Sequence, residues 1–231
     1  MFGRDIRLRG RSSNRKGCGY MSIRASAVVA AFCIACVPVA FAAASVEKIR
    51  NEKVVVTEDT LAPGEQEPAD RLPSMVVYMS GGMVEVKPAG GVTRAETVKE
   101  GETVFQEAHA DTLRNAGTSA LHFVRVEFLG AGSAEMWGMT GLSPNYKMLV
   151  EDRYARAYDI KIPAQTFEPQ HTHHDRVVVS LSGAELEHIL PDGTKQPSTL
   201  KTGEVVWRLG ATHIGHNLGH TDLWVIAIEP K

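Results

Sequence analysis

The chain has 231 residues, enough for one large domain or two small ones, and its hydrophobic content of 43% is ordinary for a globular protein with a sizeable core. Its formal net charge at pH 7 is −2. Binding to nucleic acid or to an anionic membrane surface normally needs a basic patch, so neither partner is indicated.

The N-terminal region has the three parts of a secretory signal peptide. Seven basic residues crowd the first 24 positions, and an alanine-rich apolar run follows, ending in Ala40-Phe41-Ala42-Ala43-Ala44. This order predicts a signal peptide over residues 1–44, cleaved near Ala42 to Ala44. A membrane anchor is the alternative, but the run contains Pro38, is poor in leucine and isoleucine, and ends in a cleavage-like site.

The cysteines agree with export. Cys18, Cys33 and Cys36 all lie within the predicted signal, so the mature chain would contain no cysteine, as suits an oxidising compartment. We therefore expect a periplasmic or secreted protein with no stable membrane insertion after cleavage. Because the basic segment is unusually long, the true start codon, Met1 or Met21, stays open.

Beyond the leader, the chain repeats itself with an offset of 102 residues. Val76-Val77-Tyr78-Met79-Ser80-Gly81 aligns with Val178-Val179-Ser180-Leu181-Ser182-Gly183, and the alignment continues without a gap to Glu127 and Glu229, with fifteen identical pairs. Chance does not usually produce a gapless match of this length. The mature chain is therefore predicted to be two copies of one unit.

Each copy shows short strands separated by turns. Residues 53–57, 75–79, 83–86 and 121–128 are β-branched or alternating, and glycine- and proline-containing turn signals lie between such stretches. This spacing predicts an all-β fold with a sandwich or small barrel in each copy. The predicted boundaries are 45–128 for the first copy, 129–146 for a glycine-rich linker and 147–231 for the second copy.

Histidines cluster in two short segments of the second copy. Gln170-His171-Thr172-His173-His174 leads directly into a valine-rich strand, and Thr212-His213-Ile214-Gly215-His216-Asn217 follows later, with His220 beyond it. In an extended strand His171 and His173 share one face and His174 points the opposite way. His213 from a neighbouring strand would complete three nitrogen ligands with open positions for water or substrate. Six of the nine histidines lie here, which a scatter over polar loops would rarely produce.

These segments resemble the two signature motifs of the cupin superfamily. The first is His171-x-His173 before a valine-rich strand that ends at Gly183, and the second is Gly203 followed by Gly210-x-x-His213-x-x-x-Asn217. One residue is missing between Gly203 and Gly210, and Arg208 stands where the motif has a proline. The resemblance covers the second copy and, through the repeat, the first, so the chain resembles a bicupin.

The resemblance implies two tandem jelly-roll β-barrels and a small-molecule ligand or substrate. It also implies a divalent metal ion (Fe, Mn, Zn, Ni or Cu, identity open) held by His171, His173 and His213 at the mouth of the second barrel. Cupins often pair through sheet edges, so the resemblance admits a homodimer, although the oligomeric state stays open.

The chain departs from the cupin pattern at the fourth ligand. The first motif usually supplies a glutamate a few residues after its second histidine, where this chain has Asp175, Arg176 and Val177. Asp175 shares a face with the two histidines if the strand runs on, and would then be a fourth, shorter ligand or would only orient a histidine. Arg176 would either place a cation in the cavity, where it pairs with a substrate carboxylate, or point to solvent.

The first copy lacks the histidines. At the same offset, His171, His173 and His213 correspond to Ala69, Arg71 and Asp111. We therefore expect the first barrel to bind no metal and to serve as a packing partner for the second. Arg71 and Asp111 are predicted to form an ion pair that fills the vacated site.

Three functions are open to such a chain. A metal-dependent enzyme is the first, because cupins include dioxygenases, decarboxylases, lyases and isomerases, and three histidines without a firm glutamate resemble the dioxygenase-like branch slightly more. A non-catalytic module for a small ligand is the second, and a metal-handling protein with an open chelating surface is the third. Catalytic residues are unassigned, and proton transfer would fall to Asp175, His216 or metal-bound water.

Overall fold

The computed structural model describes residues 44–67, 72–88, 90–108 and 111–231, apart from the side chain of Asp111. The predicted signal peptide therefore lies outside the described residues, except for Ala44. Within these ranges the chain is all-β, with seventeen strands and no helix. No helix in this part of the chain is long and apolar enough to cross a membrane.

Eight strands belong to the first copy. They are β1 (Ala44–Arg50), β2 (Val54–Leu61), β3 (Ser74–Tyr78), β4 (Gly82–Pro88), β5 (Arg94–Val98), β6 (Thr103–Gln106), β7 (Asp111–Asn115) and β8 (Leu121–Phe128). The four stretches whose pattern predicts strands fall on β2, β3, β4 and β8, so those four predictions are confirmed.

Nine strands belong to the second copy. They are β9 (Tyr146–Glu151), β10 (Ala155–Ile162), β11 (Phe167–His173), β12 (Arg176–Ser182), β13 (Ala184–Ile189), β14 (Lys195–Leu200), β15 (Val205–Arg208), β16 (Ala211–Asn217) and β17 (Leu223–Pro230). Residues 129–145 contain no strand. β9 begins at Tyr146, which the sequence places at the end of the linker, and the division of the chain into domains stays a prediction.

The strands form two antiparallel sheets in each copy. The first copy has the orders β1-β2-β8-β3-β6 and β5-β4-β7, and the second has β15-β12-β17-β10-β9 and β11-β16-β13-β14. The extra strand of the second copy is β11. In the described residues of the first copy, the equivalent stretch makes one isolated bridge, between Gln66 and Arg114.

The two five-stranded sheets pack against each other. Met75 and Val77 of β3 belong to the same buried apolar cluster as Val177 and Val179 of β12 and Ile226 of β17. The alternate residues of these strands face the interiors of their own barrels. Because both faces are covered, β3 and β12 have continuous apolar runs rather than alternating patterns.

Residues shared by the two copies set the same turns in both. Gly101 and Gly203 have φ values of +79° and +80°, a conformation that glycine adopts without steric cost. The amide nitrogens of Asn115 and Asn217 each donate to two backbone carbonyls, and the side-chain oxygen of each accepts from the backbone N–H two residues later. The asparagine of the second motif is therefore a structural residue that closes a turn.

Candidate metal centre

Two neighbouring strands, β11 and β16, bring three histidines together. His171 and His213 are direct cross-strand partners, and His173 lies two residues further along the same face of β11. One ligand nitrogen from each lies within 4.8 Å of the others. The residues are 3%, 4% and 5% exposed, in the order His171, His173, His213. His174, which points the opposite way as predicted, is exposed and stacks on Trp137.

Burial keeps the three imidazoles neutral at physiological pH. Removal from water lowers the pKa of His171, and it lowers the pKa of His213 to about 3. The pKa of His173 falls to about 2, first because of burial and then because of the Arg176 charge. A neutral imidazole offers a nitrogen lone pair, which is the form that binds metal.

The hydrogen bonds of these rings fit a metal site. Nδ1 of His171 lies 2.9 Å from the Pro169 carbonyl oxygen, which only accepts, so Nδ1 carries the proton and Nε2 keeps its lone pair. The Tyr146 hydroxyl lies 3.0 Å from that Nε2 and donates to it. Nε2 of His173 is buried and has no hydrogen-bond partner within the described chain. Three buried nitrogens of this kind form a donor set that suits a divalent metal ion.

A cavity of about 70 Å³ adjoins the histidines. Its walls are mainly apolar side chains from β10, β12, β13 and β17, and its polar lining includes Glu168, Arg176, His188, Arg208 and His213. The volume admits a few waters or a small organic molecule. His216 lies at its edge, stacked at 3.7 Å on the exposed ring of Phe167. His220 is exposed.

Arg176 lies in this cavity rather than in solvent. Its side chain is largely buried, with the residue 8% exposed, its Nη1 contacts Nδ1 of His173, and its Nε is buried without a partner among the described residues. Burial lowers the pKa of Arg176. Arginine starts from so high a value that it stays charged, so the cavity holds a permanent cation.

Comparison with known proteins identifies the fold. No protein-family model and no curated protein matches the sequence. AerE from Microcystis aeruginosa matches with 14% identity and a TM-score of 0.58, over 82% of this chain and 97% of that one. A cupin 2 conserved barrel domain protein from Leptotrichia buccalis matches with 14% identity and a TM-score of 0.56, over 82% and 89%. Oxalate decarboxylase from Bacillus subtilis matches with 12% identity and a TM-score of 0.54, over 77% and 68%.

The chain has the cupin fold. Because the matches cover 77–82% of the chain, they span both copies, and the prediction of two tandem jelly-roll barrels is confirmed. At these identities the likeness establishes the fold alone. The chemistry of this bicupin must therefore be argued from its own side chains.

Asp175 is not brought to the three histidines. β11 ends at His173 and β12 begins at Arg176 in the other sheet, so the chain leaves the ligand face between them. Oδ1 of Asp175 accepts a hydrogen bond of 2.6 Å from the backbone N–H of Gly210. The carboxylate of Asp175 thus stabilises the turn before β16. A ligand role would require β11 to continue to residue 175, and β11 ends at His173.

The carboxylate in the cavity is Glu168, a residue that the sequence argument misses. It is 3% exposed, Oε2 lies 3.8 Å from Nε2 of His171, and Oε1 is buried without a partner in the described structure. Burial raises the pKa of Glu168 to about 7, against smaller opposing effects of Ser143 and Arg176. Glu168 is thus a further titratable group in the cavity, beside the Asp175 and His216 that the sequence suggests for proton transfer.

A β-bulge explains why Glu168 was missed. Strict alternation from His171 places residue 168 on the outer face of β11, but the pairing with β16 shifts register between Glu168 and His171. Opposite Glu168 stands Gly215, where a Cβ would lie 2.5 Å from Oε2 of Glu168. A bulge and a facing glycine thus turn the carboxylate inward, and neither is visible before the register is known.

Tyr146 and His188 were also missed. Tyr146 is the first residue of β9, so its assignment to the linker hid its contact with His171. His188 lines the cavity, with its ring centroid 4.5 Å from that of His213, and burial lowers its pKa to about 4. The alternation Ala184-x-Leu186-x-His188 places His188 on the interior face, and this signal was available in the sequence.

The interior of the first barrel is filled by an ion pair of its own. Arg125 of β8 is fully buried and pairs through Nη2 with Glu67. Its Nη1 donates to Oγ of Ser74 at 2.8 Å and to Oε1 of Gln106 at 2.7 Å. The expected pair of residue 71 with Asp111 falls on a residue and a side chain outside the described structure, so it stays a prediction.

Proposed function

We propose that this bicupin binds one divalent metal ion in its second barrel and is a metal-dependent enzyme of the dioxygenase, decarboxylase or lyase kind. The observation that carries the proposal is the group of three buried, neutral histidine nitrogens beside a small cavity. His171, His173 and His213 would hold the ion. When bound, it would polarise a carbonyl or carboxylate of the substrate or activate O₂.

The other residues of the cavity have separate tasks. Arg176 binds a substrate carboxylate, because a buried guanidinium is matched best by a planar anion. Glu168 can hold or release a proton at Oε1, since its pKa of about 7 lies near the operating pH. The Tyr146 hydroxyl donates to Nε2 of His171 in the metal-free chain and would give up that lone pair to the metal, and the apolar walls exclude water.

Contact with Arg176 and binding of a metal favour different positions of the ring proton of His173. Nδ1 of His173 contacts Nη1 of Arg176, which only donates, and lies 3.4 Å from the His174 carbonyl oxygen, which only accepts, so contact with Arg176 places the ring proton on Nε2 and contact with the carbonyl places it on Nδ1. A ligand role for Nε2 moves that proton to Nδ1, and Arg176 can then no longer donate there. Metal binding is therefore expected to free the guanidinium for a substrate anion.

The burial of the histidines argues against an open metal chelator. A chelating surface would use exposed rings such as His174 and His220, whereas the three clustered rings are almost fully covered. A non-catalytic binding module remains the alternative function. Turnover of candidate acids by metal-loaded protein separates it from an enzyme, and oxalate is a reasonable first compound because one fold neighbour is an oxalate decarboxylase.

Elemental analysis tests the proposal. We expect one equivalent of Fe, Mn, Zn, Ni or Cu per mature chain, and loss of that metal in His171→Ala and His213→Ala. His220→Ala removes an exposed histidine and should leave the content unchanged. Iron or copper would favour oxidation, and zinc would favour hydrolysis, isomerisation or a structural role. Native protein without a stoichiometric metal would contradict the proposal.

We also propose that the protein acts in the periplasm or outside the cell. The support is the sequence of residues 1–44, with its basic start, apolar run and small-residue end. N-terminal sequencing of protein from the periplasmic or secreted fraction should find a chain that begins close to residue 43 or 45. Recovery of the uncleaved chain from the cytoplasm would contradict this proposal.

A further inference from the structure

We propose that Arg176 and Arg208 together form a binding site for one carboxylate group of a small organic acid. The inference rests on the proposed function for the choice of cavity, and it assigns to Arg208 a role that the cupin motifs do not supply. It does not require the metal, because both guanidinium groups belong to the protein.

The register of β12 and β15 places the two arginines opposite each other. Arg176 and Arg208 are direct cross-strand partners, as are Val178 and Val206 two residues away on the same face. Both arginines line the cavity beside the histidines. The charge of Arg208 adds to the effect of burial in lowering the pKa of Arg176, and both charges lower the pKa of His188. The two cations therefore act on the same small space.

The protein compensates the charge of Arg176 only at a distance, through the buried carboxyl groups of Glu229 and Glu168. Among the described residues, no carboxylate forms an ion pair with Arg176 or Arg208. Within the part of the chain that the structure describes, Arg176 contacts neutral His173 and has a buried Nε without a partner, and Arg208 donates only to Oγ of Ser198, at 3.3 Å. Like charges placed directly opposite in a sheet are destabilising, and a buried unpaired charge is more so. An anion between them would remove this penalty.

The first barrel shows the same positions with the charges balanced. At the offset of 102 residues, Arg176 and Arg208 correspond to Ser74 and Gln106. Those two side chains accept hydrogen bonds from Arg125, which Glu67 neutralises. In the second barrel the two acceptors have become arginines, while Arg125 corresponds to Ala227 and Glu67 to Pro169. The second barrel thus has two arginines at these positions, and neither is in direct contact with a carboxylate among the described residues, since the buried Glu229 pairs with Arg156.

The surroundings favour a carboxylate over a phosphate. A phosphate dianion has four oxygens to satisfy, and the remaining polar lining near the pair offers few donors beyond Ser198 and His188. Glu168 also lines the cavity, and its carboxyl group opposes a second negative charge. The apolar walls suit the carbon skeleton of a small acid. Two arginines can hold one planar carboxylate through paired N–H groups.

Calorimetric titration of the chelator-treated mature chain tests the inference without the metal. Acetate, oxalate, malonate and inorganic phosphate are the probes, at constant ionic strength. We expect at least one carboxylate to bind more tightly than phosphate. Arg208→Gln and Arg176→Ser, which restore the residues of the first copy, should each weaken binding roughly tenfold to hundredfold. Arg208→Lys should lose less, because it keeps the charge.

The controls separate this inference from the proposed function. Arg114→Gln removes an exposed arginine of the first barrel and should not change binding. Metal content of Arg208→Gln should equal that of the native protein, since Arg208 is not a ligand. Absence of carboxylate binding, unchanged binding in both arginine variants, or a preference for phosphate would each overturn the inference. Loss of metal binding with arginine-dependent carboxylate binding retained would overturn only the metal proposal.

Discussion

The two barrels have the same strand plan, and they differ in what occupies the interior. In the first, Arg125 and Glu67 neutralise each other and Leu113 is fully buried. In the second, the position of Leu113 is taken by Gly215, which leaves room for the Glu168 carboxyl group. Each barrel holds a buried ion pair, Arg125–Glu67 in the first and Arg156–Glu229 in the second. Among the described residues, the second barrel also has a cavity and buried atoms without a partner on Glu168, His173 and Arg176, whereas such an atom in the first is Nε of Arg125.

Removal of Arg125 should produce the largest effect and should act only through the first barrel. Arg125→Leu removes the buried guanidinium that contacts Glu67, Ser74 and Gln106, so we expect a loss of about 3–5 kcal/mol in the free energy of unfolding, measured by urea denaturation. Replacement of both residues, Arg125→Leu with Glu67→Leu, should recover most of the loss. In contrast, Arg176→Ser removes an unpaired charge and should leave stability unchanged or raised. Equal losses of unfolding free energy for Arg125→Leu and Arg176→Ser would contradict the proposed difference between the two barrels.

The buried carboxyl group should make the stability of the metal-free protein depend on pH. Glu168 has a pKa of about 7 when folded and about 4.5 when exposed, so the folded state holds the proton more tightly between these values. The contribution of Glu168 to stability should therefore fall as pH rises from 4.5 to 7, by up to roughly 3 kcal/mol, and then level off; it is measured as the difference between the native chain and Glu168→Gln, because the buried histidines add an opposite trend that both chains share. Glu168→Gln should abolish this loss, whereas Glu185→Gln, at an exposed position of β13, should keep it. Parallel stability curves for the native chain and Glu168→Gln would contradict the assignment.

Metal addition should stabilise the protein through the second barrel alone. A ligand that binds only the folded state at a hundredfold excess over its Kd adds about 2.7 kcal/mol. We expect this gain in the native chain and in His122→Ala of the first copy, and its absence in His171→Ala. Thermal denaturation with and without chelator measures it. A gain that survives His171→Ala would place the metal elsewhere.

A methyl group at Gly215 should have the smallest effect and should sharpen the difference between the barrels. The added Cβ lies 2.5 Å from Oε2 of Glu168, so the carboxyl group must move or the strands must separate. We expect Gly215→Ala to cost about 1–3 kcal/mol by urea denaturation and to alter the pH dependence assigned to Glu168. Gly130→Ala is the control, since a Cβ there meets only one atom, at 3.9 Å.

The sequence predicts what depends on alternation and spacing. His171 and His173 share a face because they are two residues apart in a regular stretch of β11, and Gly203 and Asn217 occupy repeated turns. Glu168 escapes prediction because a bulge reverses its face. The prediction that Asp175 shares a face with the two histidines is wrong because β11 ends at His173, and the polar sequence around it does not indicate where the strand ends.

Long-range pairing could not be predicted from one chain. Alternation with Phe123 indicates that Arg125 faces the interior of the first barrel, but its partner Glu67 lies in an irregular segment. The opposition of Arg176 and Arg208 depends on the register between β12 and β15, which is fixed by packing rather than by either strand alone.

The apolar layer between the five-stranded sheets has a consequence for how such a molecule can change. Each barrel covers a surface that its twin would otherwise expose to water, and Val77 and Val179 belong to one cluster. The first copy, which lacks the three histidines, therefore still stabilises the second by covering the apolar outer face of its five-stranded sheet. The interiors of the two barrels can therefore differ while the apolar layer between their five-stranded sheets stays the same.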